Sequence, residues 1–553
     1  MLRKVTDGNH RTGRGQRLDV GREASLALLV ANLSWAEDGD AVKTVAAALG
    51  ISQKRVKSAI LVKKSLDSRH RQPNWRAVFK ADVDDEDGIL AKNIPSVRRW
   101  IERDAGRYGL ESPLHPTPQI RPESARPIVV GLGPAGMFAA LYLAEAGMPP
   151  LVIERGGPVE PRVGVVNGHW RGKLPLDTED NLVFGEGGAG TFSDGKIYTR
   201  RRDGELGYVF RKLVEFGADE EILQEAWAHL GTDKIRALLP PFRNRLVELG
   251  AEIRFHTRVD DLVVEGGRCV GVRLSDGTEI RSDAVIVATG HSARDTMEAL
   301  VRAGADAKVR GIAVGARIEH PQTVIDKGRY GREDRGDLPP ASYRLAHNPT
   351  SGPRGHTFCM CPGGMVVPAM NHTERVVVNG MSFAARRAFW ANSAVIVDVP
   401  PEAYGASDPL AGFRWQDTIE KRAFELGGGA YAAPAQRVVD FLAGRPSEDL
   451  PKTSYPLGVV PVDLFQLFPG FLARGMVDAI KAFDRQLPGF AHPEAVLIAP
   501  ETRTTSPVQF ARTETMESTT VPGLYPVGEG AGFAGGIVSS ALDGLRAARA
   551  IAG

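Results

Sequence analysis

Three glycines and one acid have the types and the spacing to hold a dinucleotide. Gly131, Gly133 and Gly136 stand in the run Gly-Leu-Gly-Pro-Ala-Gly, and Glu154 follows 18 residues after the last of them. Gly131 permits a tight turn. Gly133 leaves a pyrophosphate room against the backbone, and Gly136 lets a helix lie close to a strand. Pro134 and Ala135 would open that helix, whose free N–H groups and partial positive charge face the phosphates. A carboxylate at Glu154 can take both ribose hydroxyls, with Arg155 beside it.

A second glycine-rich stretch runs from Gly185 to Lys196, with five glycines in twelve residues. Such a stretch is expected to be neither helix nor ordinary strand, and it lets backbone approach a ligand closely. Gly188, Thr191, Ser193 and Lys196 are the expected cofactor contacts there, Lys196 at a flavin edge or on a phosphate. A third lies near the end, where Leu524-Tyr-Pro-Val-Gly528-Glu529 leads into Gly535-Gly536-Ile537 and a helical segment. If the cofactor is a flavin, N–H groups at that helix start could point at its N1–C2=O edge, where negative charge gathers on reduction. His229 and His291 are the candidate proton carriers. Arg503, in Arg-Thr-Thr-Ser506, is a candidate pocket residue that could fix a carboxylate by a two-pronged contact, against the alternative of a surface ion pair. Cys359 and Cys361 would face one side of an extended segment. A redox-active pair is one reading, and two small apolar-like residues at a strand end is the preferred one. Too few further ligands stand near them for a metal site.

The elements that must position these groups follow from pattern. Ile128–Val130 reads as a strand, the alanine- and leucine-rich run to Glu145 as a helix, and Leu151–Ile153 as a second strand ending on Glu154. Residues 205–250 read as two helices joined by Gly231-Thr-Asp233, with breaks at Gly217 and Pro240-Pro241. Strands are expected over 253–257, 261–264, 269–274 and 279–281, then a buried strand from Ala284 into Thr289-Gly290. Further on, 309–319 and 375–380 look like strands, and 384–393, 409–426 and 475–483 look helical.

In chain order this gives a basic tail (1–15), a small ferredoxin-like α/β unit (16–110) and a proline-rich linker (111–126). The first part of a dinucleotide-binding domain follows (127–304), then an inserted α+β domain (305–500) and the last part of the binding domain (501–553). Within the small unit, 41–49 reads as a helix, 56–63 and 75–83 as strands and 94–105 as a helix.

The bulk properties narrow the function classes. A chain of 553 residues is long enough for two or three domains. Its net charge of +2 points to no particular partner, although residues 1–80 carry 16 Lys/Arg against 7 Asp/Glu. Aromatics are sparse in that basic stretch and no RNA-binding signature is present, so a solvated face is favoured over a nucleic-acid surface. Three cysteines make no disulfide framework. No apolar run approaches the roughly 20 residues that span a bilayer, and a cytoplasmic protein is expected.

The glycine turn with Glu154, the Ala288-Thr-Gly290 strand end and the C-terminal glycine turn resemble the FAD domain of the glutathione-reductase class of flavoproteins. Gly187–Lys196, His229–Asp233, Met360–Gly364 and Gly528–Gly536 resemble, more narrowly, a widespread family of FAD-dependent (NAD/FAD-utilising) dehydrogenases. The likeness runs from about residue 16 to the end and departs from the pattern in the first fifteen. It implies the fold and FAD, but no particular reaction. By this resemblance Gly131, Gly133, Gly136, Glu154, Gly188, Thr191, Gly290, Glu529 and Gly536 fall at FAD contacts.

The expectation is an FAD-dependent oxidoreductase acting on an unidentified small molecule, an anion being one candidate, with the flavin carrying the hydride or electrons. The substrate pocket would lie between the binding domain and residues 305–500. No second GxGxxG unit is present, yet a nicotinamide can visit the flavin face without a fold of its own, so NAD(P)H stays open as a transient electron donor. The alternatives are a flavoprotein whose basic N-terminal unit docks RNA or a protein partner, and a non-catalytic FAD sensor.

Overall fold

Five short strands, the three central ones wholly apolar, form a parallel sheet in the computed structural model. Their spatial order is Leu524–Pro526, Val285–Val287, Ile128–Val130, Leu151–Ile153 and Glu252–Arg254. Residues 27–36, 39–68, 73–108, 116, 126–199 and 203–553 are described by the structure. The basic tail, the start of the N-terminal unit and most of the expected linker therefore lie outside the described residues. A parallel sheet is buried on both faces, which is why its central strands read as unbroken Ile-Val-Val, Leu-Val-Ile and Val-Ile-Val. One face carries the helix Pro134–Glu145, buried from Ala135 to Ala144, together with Gly231–Glu248 and the C-terminal helix Ile537–Ala552. The two helices that follow glycine turns touch closely: a Cβ on Gly544 would stand 1.9 Å from the Ala135 carbonyl oxygen. The last strand and helix thus return to the sheet begun at Ile128, almost 400 residues earlier in the chain. An antiparallel three-stranded sheet (Val259–Glu265, Arg268–Leu274, Glu279–Arg281) covers the other face through Val259, Leu262 and Leu274.

The second body is a seven-stranded mixed sheet. Its order is Ala346–His347, Gly355–Cys361, Trp390–Val399, Ile312–Pro321, Val496–Glu501, Ala433–Arg437, Val459–Pro461, with only the last pair parallel. Ile312–Pro321 is buried along its whole length, and the helix Gly470–Gln486 packs against the sheet. The third body is an antiparallel four-stranded sheet, ordered Val56–Asp67, Asn74–Val83, Ala27–Trp35, Val97–Arg99. The helix Ala41–Leu49 packs on it through Val45, Ala46 and Leu49. Asp40 caps that helix by accepting from the Lys43 N–H, and Gly50 closes it in the left-handed region.

Five local expectations are corrected. Residues 94–105 are a strand, Val97–Arg99, followed by the helix Glu102–Arg107. Pro95 disfavours helix just before it, and the backbone of 97–99 pairs with 28–30. Residues 384–393 are a turn leading into the strand Trp390–Val399, because pairing on both sides outweighs a weak helical pattern. Pro240-Pro241 lie inside one unbroken helix, Gly231–Glu248, held by burial of Leu238, Leu239, Phe242 and Leu246. Gly231 opens this helix, and the joint after Leu206–Glu215 is the segment 216–230. The glycine-rich stretch also holds a short 3-10 helix, Gly188–Phe192, the tight turn that glycines with positive φ permit.

Candidate functional site

A cavity of about 1190 Å³ opens where the parallel strands end and the seven-stranded sheet begins. The glycine turn brings Gly131, Gly133, Pro134 and Ala135 to its wall, and Glu154 and Arg155 arrive from the next strand. Gly188 and Lys196 enter from the second glycine-rich stretch, and Gly290 and His291 from the end of Val285–Val287. Gly528, Glu529, Gly535, Gly536 and Ile537 line it from the C-terminal turn, His229 from the segment before the long helix, and Arg503 from the end of the inserted sheet. Gly136 and Thr191 are the two predicted residues that do not reach the wall.

The turn geometry explains the glycines. Gly131 has φ of +96°, and a Cβ there would meet the Ala288 carbonyl oxygen at 2.7 Å. A Cβ on Gly136 would stand 1.9 Å from the Gly131 oxygen, so this residue sets how closely helix and strand approach. At Gly133 a Cβ would point into open space, its nearest neighbour being Gly188 Cα at 3.9 Å. Any side chain at 133 would therefore fill the cradle. Gly133 is also the N-cap of Pro134–Glu145, and Gly536 that of Ile537–Ala552, so two helix N-termini border one cavity.

Glu154 is 4% exposed and ties the loops of the cradle together. Its Oε2 accepts from the Leu132 N–H at 2.7 Å, and its Oε1 from Gly156 at 3.0 Å and Gly185 at 2.9 Å. A carboxylate has about four acceptor sites, so capacity remains for a ligand hydroxyl. Arg155 is engaged by Glu179 at 2.6 Å and Asp295 at 2.9 Å and lies over the Phe184 ring. Glycines that leave open space, two helix N-termini and an acid at the second strand's end together fit FAD. Several buried polar atoms along the wall also lack a partner among the described residues: Thr289 Oγ1, Ser292 Oγ, and Nε2 of His229 and His291.

Arg162 braces this cradle, and nothing in the sequence pattern singles it out. It sits on the helix Val159–Trp170, fully buried. Its Nε donates to the Asn181 carbonyl (2.8 Å), Nη1 to Glu186 O (2.6 Å) and Thr191 Oγ1 (3.2 Å), and Nη2 to Leu182 O (2.7 Å) and Gly188 O (3.0 Å). Burial pushes the guanidinium down to about 10, still protonated at neutral pH. Thr191, itself fully buried, donates to the Glu186 oxygen at 2.9 Å, so its hydroxyl fixes the loop from inside.

Across the cavity lies a cluster of buried charge. Asp194 is fully buried, accepting from Lys196 Nζ at 2.7 Å, Arg386 Nη2 at 2.8 Å and the Ser382 hydroxyl. Burial alone would raise its carboxyl, but Lys196 and Arg386 hold it well below the usual range. His229 pairs in extended backbone geometry with Lys196. Burial, reinforced by the Arg386 charge, pushes its imidazole down to about 4, so it is neutral at pH 7. His291 Nδ1 lies 3.6 Å from Glu529 Oε2. Arg503 is neither free for an anion nor in a surface pair. Its side chain is 6% exposed and forks onto Glu420, Nε–Oε1 at 2.9 Å and Nη2–Oε2 at 2.7 Å, with a further bond to Asn371 Oδ1. Arg294 completes the arrangement, Nη2 to Glu420 Oε1 at 2.8 Å. Against the effect of burial, Arg503 and Arg294 bring Glu420 down to about 2. Among the described residues no group of three or more His, Cys, Asp or Glu could hold a metal ion, and no helix is long and apolar enough to cross a membrane.

Comparison with known proteins bears on the same regions. A family model described as "FAD-dependent protein, C-terminal domain-like" matches residues 311–504, and one described as "FAD dependent oxidoreductase" matches 229–338. An uncharacterized protein of Clostridium beijerinckii is 38% identical over 537 residues, covering 95% of this chain and 98% of that one. Protein FixC of Escherichia coli is 29% identical over 238 residues, 42% of this chain and 51% of FixC. The solved structure of the flavin-dependent brominase Bmp2 aligns with a TM-score of 0.35 at 14% identity, over 77% of this chain and 78% of that one, a likeness too loose to carry an argument. With the Clostridium relative matched almost end to end and FAD-dependent models matching 229–338 and 311–504, the chain belongs to a family of FAD-dependent oxidoreductases.

Proposed function

We propose that the cavity holds FAD along the glycine cradle and takes a small-molecule substrate on the side of the seven-stranded sheet. One observation carries this reading: a single cavity joins the two helix N-termini and Glu154 to Lys196, His229 and the strand ends of the inserted sheet. When bound, the flavin supplies the hydride or electron chemistry. The Gly133 and Pro134 N-terminus holds the pyrophosphate, and the spare acceptor capacity of Glu154 takes a ribose hydroxyl. The Gly536–Ile537 N-terminus offers N–H groups and positive potential to the redox ring. His229, neutral and with Nε2 unpartnered among the described residues, can accept or deliver a proton at that atom.

In this reading residues 127–304 and 501–553 form one discontinuous FAD-binding domain and 305–500 an inserted α+β domain. The strand order of the parallel sheet supports it, because Leu524–Pro526 joins the sheet of Ile128–Val130. The N-terminal unit is ferredoxin-like: its strands and helices alternate as βαββαβ with sheet order 2-3-1-4. It serves as a wall of the substrate chamber. Lys64 donates its backbone N–H to Gln224 O (2.7 Å), and Ala226 N–H returns to Lys64 O (2.9 Å), so its edge strand is stitched to the segment before the long helix. Lys64, Ser65, Trp75 and Arg76 line the cavity from this side, and Arg329 and Arg344 from the inserted domain. With Arg503 committed to Glu420, these cations are what would favour an anionic substrate.

Anaerobic stopped-flow of the FAD-loaded protein against NADPH and NADH tests the electron donor. Rapid bleaching by one of them supports NAD(P)H as transient donor. No bleaching by either points to a reaction in which the substrate itself delivers the electrons. A folded protein that cannot be loaded with FAD would overturn the reading.

A further inference from the structure

We propose that Cys359 is a second reactive centre of the cavity, a thiolate paired with the Lys196 ammonium and poised to add to an electron-poor carbon conjugated to a carbonyl group. Its position comes from a break in the strand Gly355–Cys361. Register against Trp390–Val399 slips between Phe358 and Cys361, and Cys359 takes φ of +44°. That left-handed conformation is one a non-glycine residue rarely adopts. It also undoes the alternation that would have put both thiols on one face. Cys361 ends fully buried, whereas Cys359 is partly exposed and lines the cavity.

The surroundings decide which sulfur carries charge. Lys196 Nζ lies 3.8 Å from Cys359 Sγ while also holding Asp194. The Cys361 thiol donates to the Cys359 carbonyl oxygen at 3.3 Å, so it keeps its proton, and Arg317 Nη1 donates to that same oxygen at 2.8 Å. Arg317 is fully buried and pairs with Glu501, whose Oε1 accepts from Nη2 at 3.0 Å. Lys196 and Arg317 face the two sulfurs against Asp194 and Glu501, with Arg386 on the far side of Asp194 and His229 neutral. Burial raises Glu501 to about 7 against the pull of Arg317, so with both thiols protonated the cluster holds at least one cation too many, and a thiolate at Cys359 offsets it. Buried charge is stable when it is matched in this way. The neighbouring Cys361 side chain lowers the Cys359 thiol; burial opposes this, and the charges of Lys196 and Arg317 keep it well below the ordinary range. Burial and the neighbouring sulfur drive Cys361 up. Depressed thiols beside cations are the nucleophilic ones.

The step balances with water as the proton source. The S–C bond forms at the β-carbon, and the alkene pair shifts towards the carbonyl oxygen. The resulting enolate takes a proton from water at its α-carbon, and the Lys196 ammonium, held by Asp194, stays charged beside the developing negative charge. Reversal restores the thiolate.

N-ethylmaleimide, itself a conjugated carbonyl compound, is the probe, with labelling rates at each cysteine read by peptide mass spectrometry between pH 5.5 and 9. Cys359 is expected to label fastest, with a rate that stays within about threefold from pH 8 to pH 6, whereas an ordinary thiol with a pKa near 8.5 slows about tenfold per unit. Cys269, buried in the strand Arg268–Leu274 of the antiparallel sheet, is the slow internal control. Lys196→Met should restore the tenfold-per-unit slope at Cys359, and Lys196→Arg, which keeps the cation, should leave the profile flat. A steep profile in the natural protein, an unchanged profile in both Lys196 variants, or preferential labelling of Cys361 would each overturn the proposal. None of these readouts depends on turnover or on bound FAD.

Discussion

Replacing Arg162 with methionine keeps most of the buried volume and removes the guanidinium's donors from the inside of the glycine-rich loop. Three carbonyl oxygens, of Asn181, Leu182 and Gly188, lose their partner in a largely buried site, whereas Glu186 O keeps the Thr191 hydroxyl. An orphaned buried polar group costs about 1–3 kcal/mol, and even at the low end three of them cost about 3 kcal/mol. The penalty falls on residues 181–191, because all five acceptors lie there. Hydrogen exchange followed by mass spectrometry reads it directly. Protection across this loop should fall about 10²-fold, since about 1.4 kcal/mol is a factor of ten, while protection in the strand Trp390–Val399 should not change. FAD binding should weaken at least tenfold, as Gly185 and Gly188 line the cavity. Arg162→Lys, with one ammonium for five acceptors, should fall between. A change in loop protection below tenfold in the methionine variant would refute the bracing role.

Gly133→Val should give a folded, thermally stable protein that purifies colourless, because its Cβ meets open space at φ of −78° and only the cofactor is displaced; absorbance at 450 nm and a melting scan check both halves. Gly136→Ala should lower the melting temperature as well as FAD content, since the new methyl would stand 1.9 Å from the Gly131 oxygen. Glu420, lowered from 4.5 to about 2 in the folded protein, contributes ~3 kcal/mol that is fully present above pH 4.5 and is lost as pH falls towards 2. Glu420→Gln should therefore be destabilised at pH 7 by about 3 kcal/mol and differ little from the natural protein near pH 2, by melting scans at both values. Removal of residues 1–110 should leave FAD bound but raise the KM for substrate or donor, because Lys64, Trp75 and Arg76 leave the cavity wall; an unchanged KM would remove the N-terminal unit from the chamber.

The sequence alone determined the strand–turn–helix of residues 128–145, the acid at 154 and the second glycine-bordered helix at 537. These signals are local, because three glycines at fixed spacing and an unbroken apolar strand are required by the backbone of the turn itself. Even the return of the chain's last strand to its first sheet was legible, since two glycine-opened helix starts imply one shared ligand. What local pattern could not supply was everything set by partners far apart in the chain. The run 384–393 has a helical composition, yet two neighbouring strands pair with the segment that follows it. Arg503 looks like an anion hook until Glu420, 83 residues away, is found to occupy it. Arg162 carries no motif, for its value lies in five acceptors supplied by a loop about 20 to 30 residues downstream. Cys359 and Cys361 differ by one bulge that turns one thiol towards the cavity and Lys196 and the other into the core. Backbone geometry is written in short stretches of sequence, whereas the matching of buried charges and hydrogen bonds is settled only when tertiary packing brings distant groups within about 3 Å of one another.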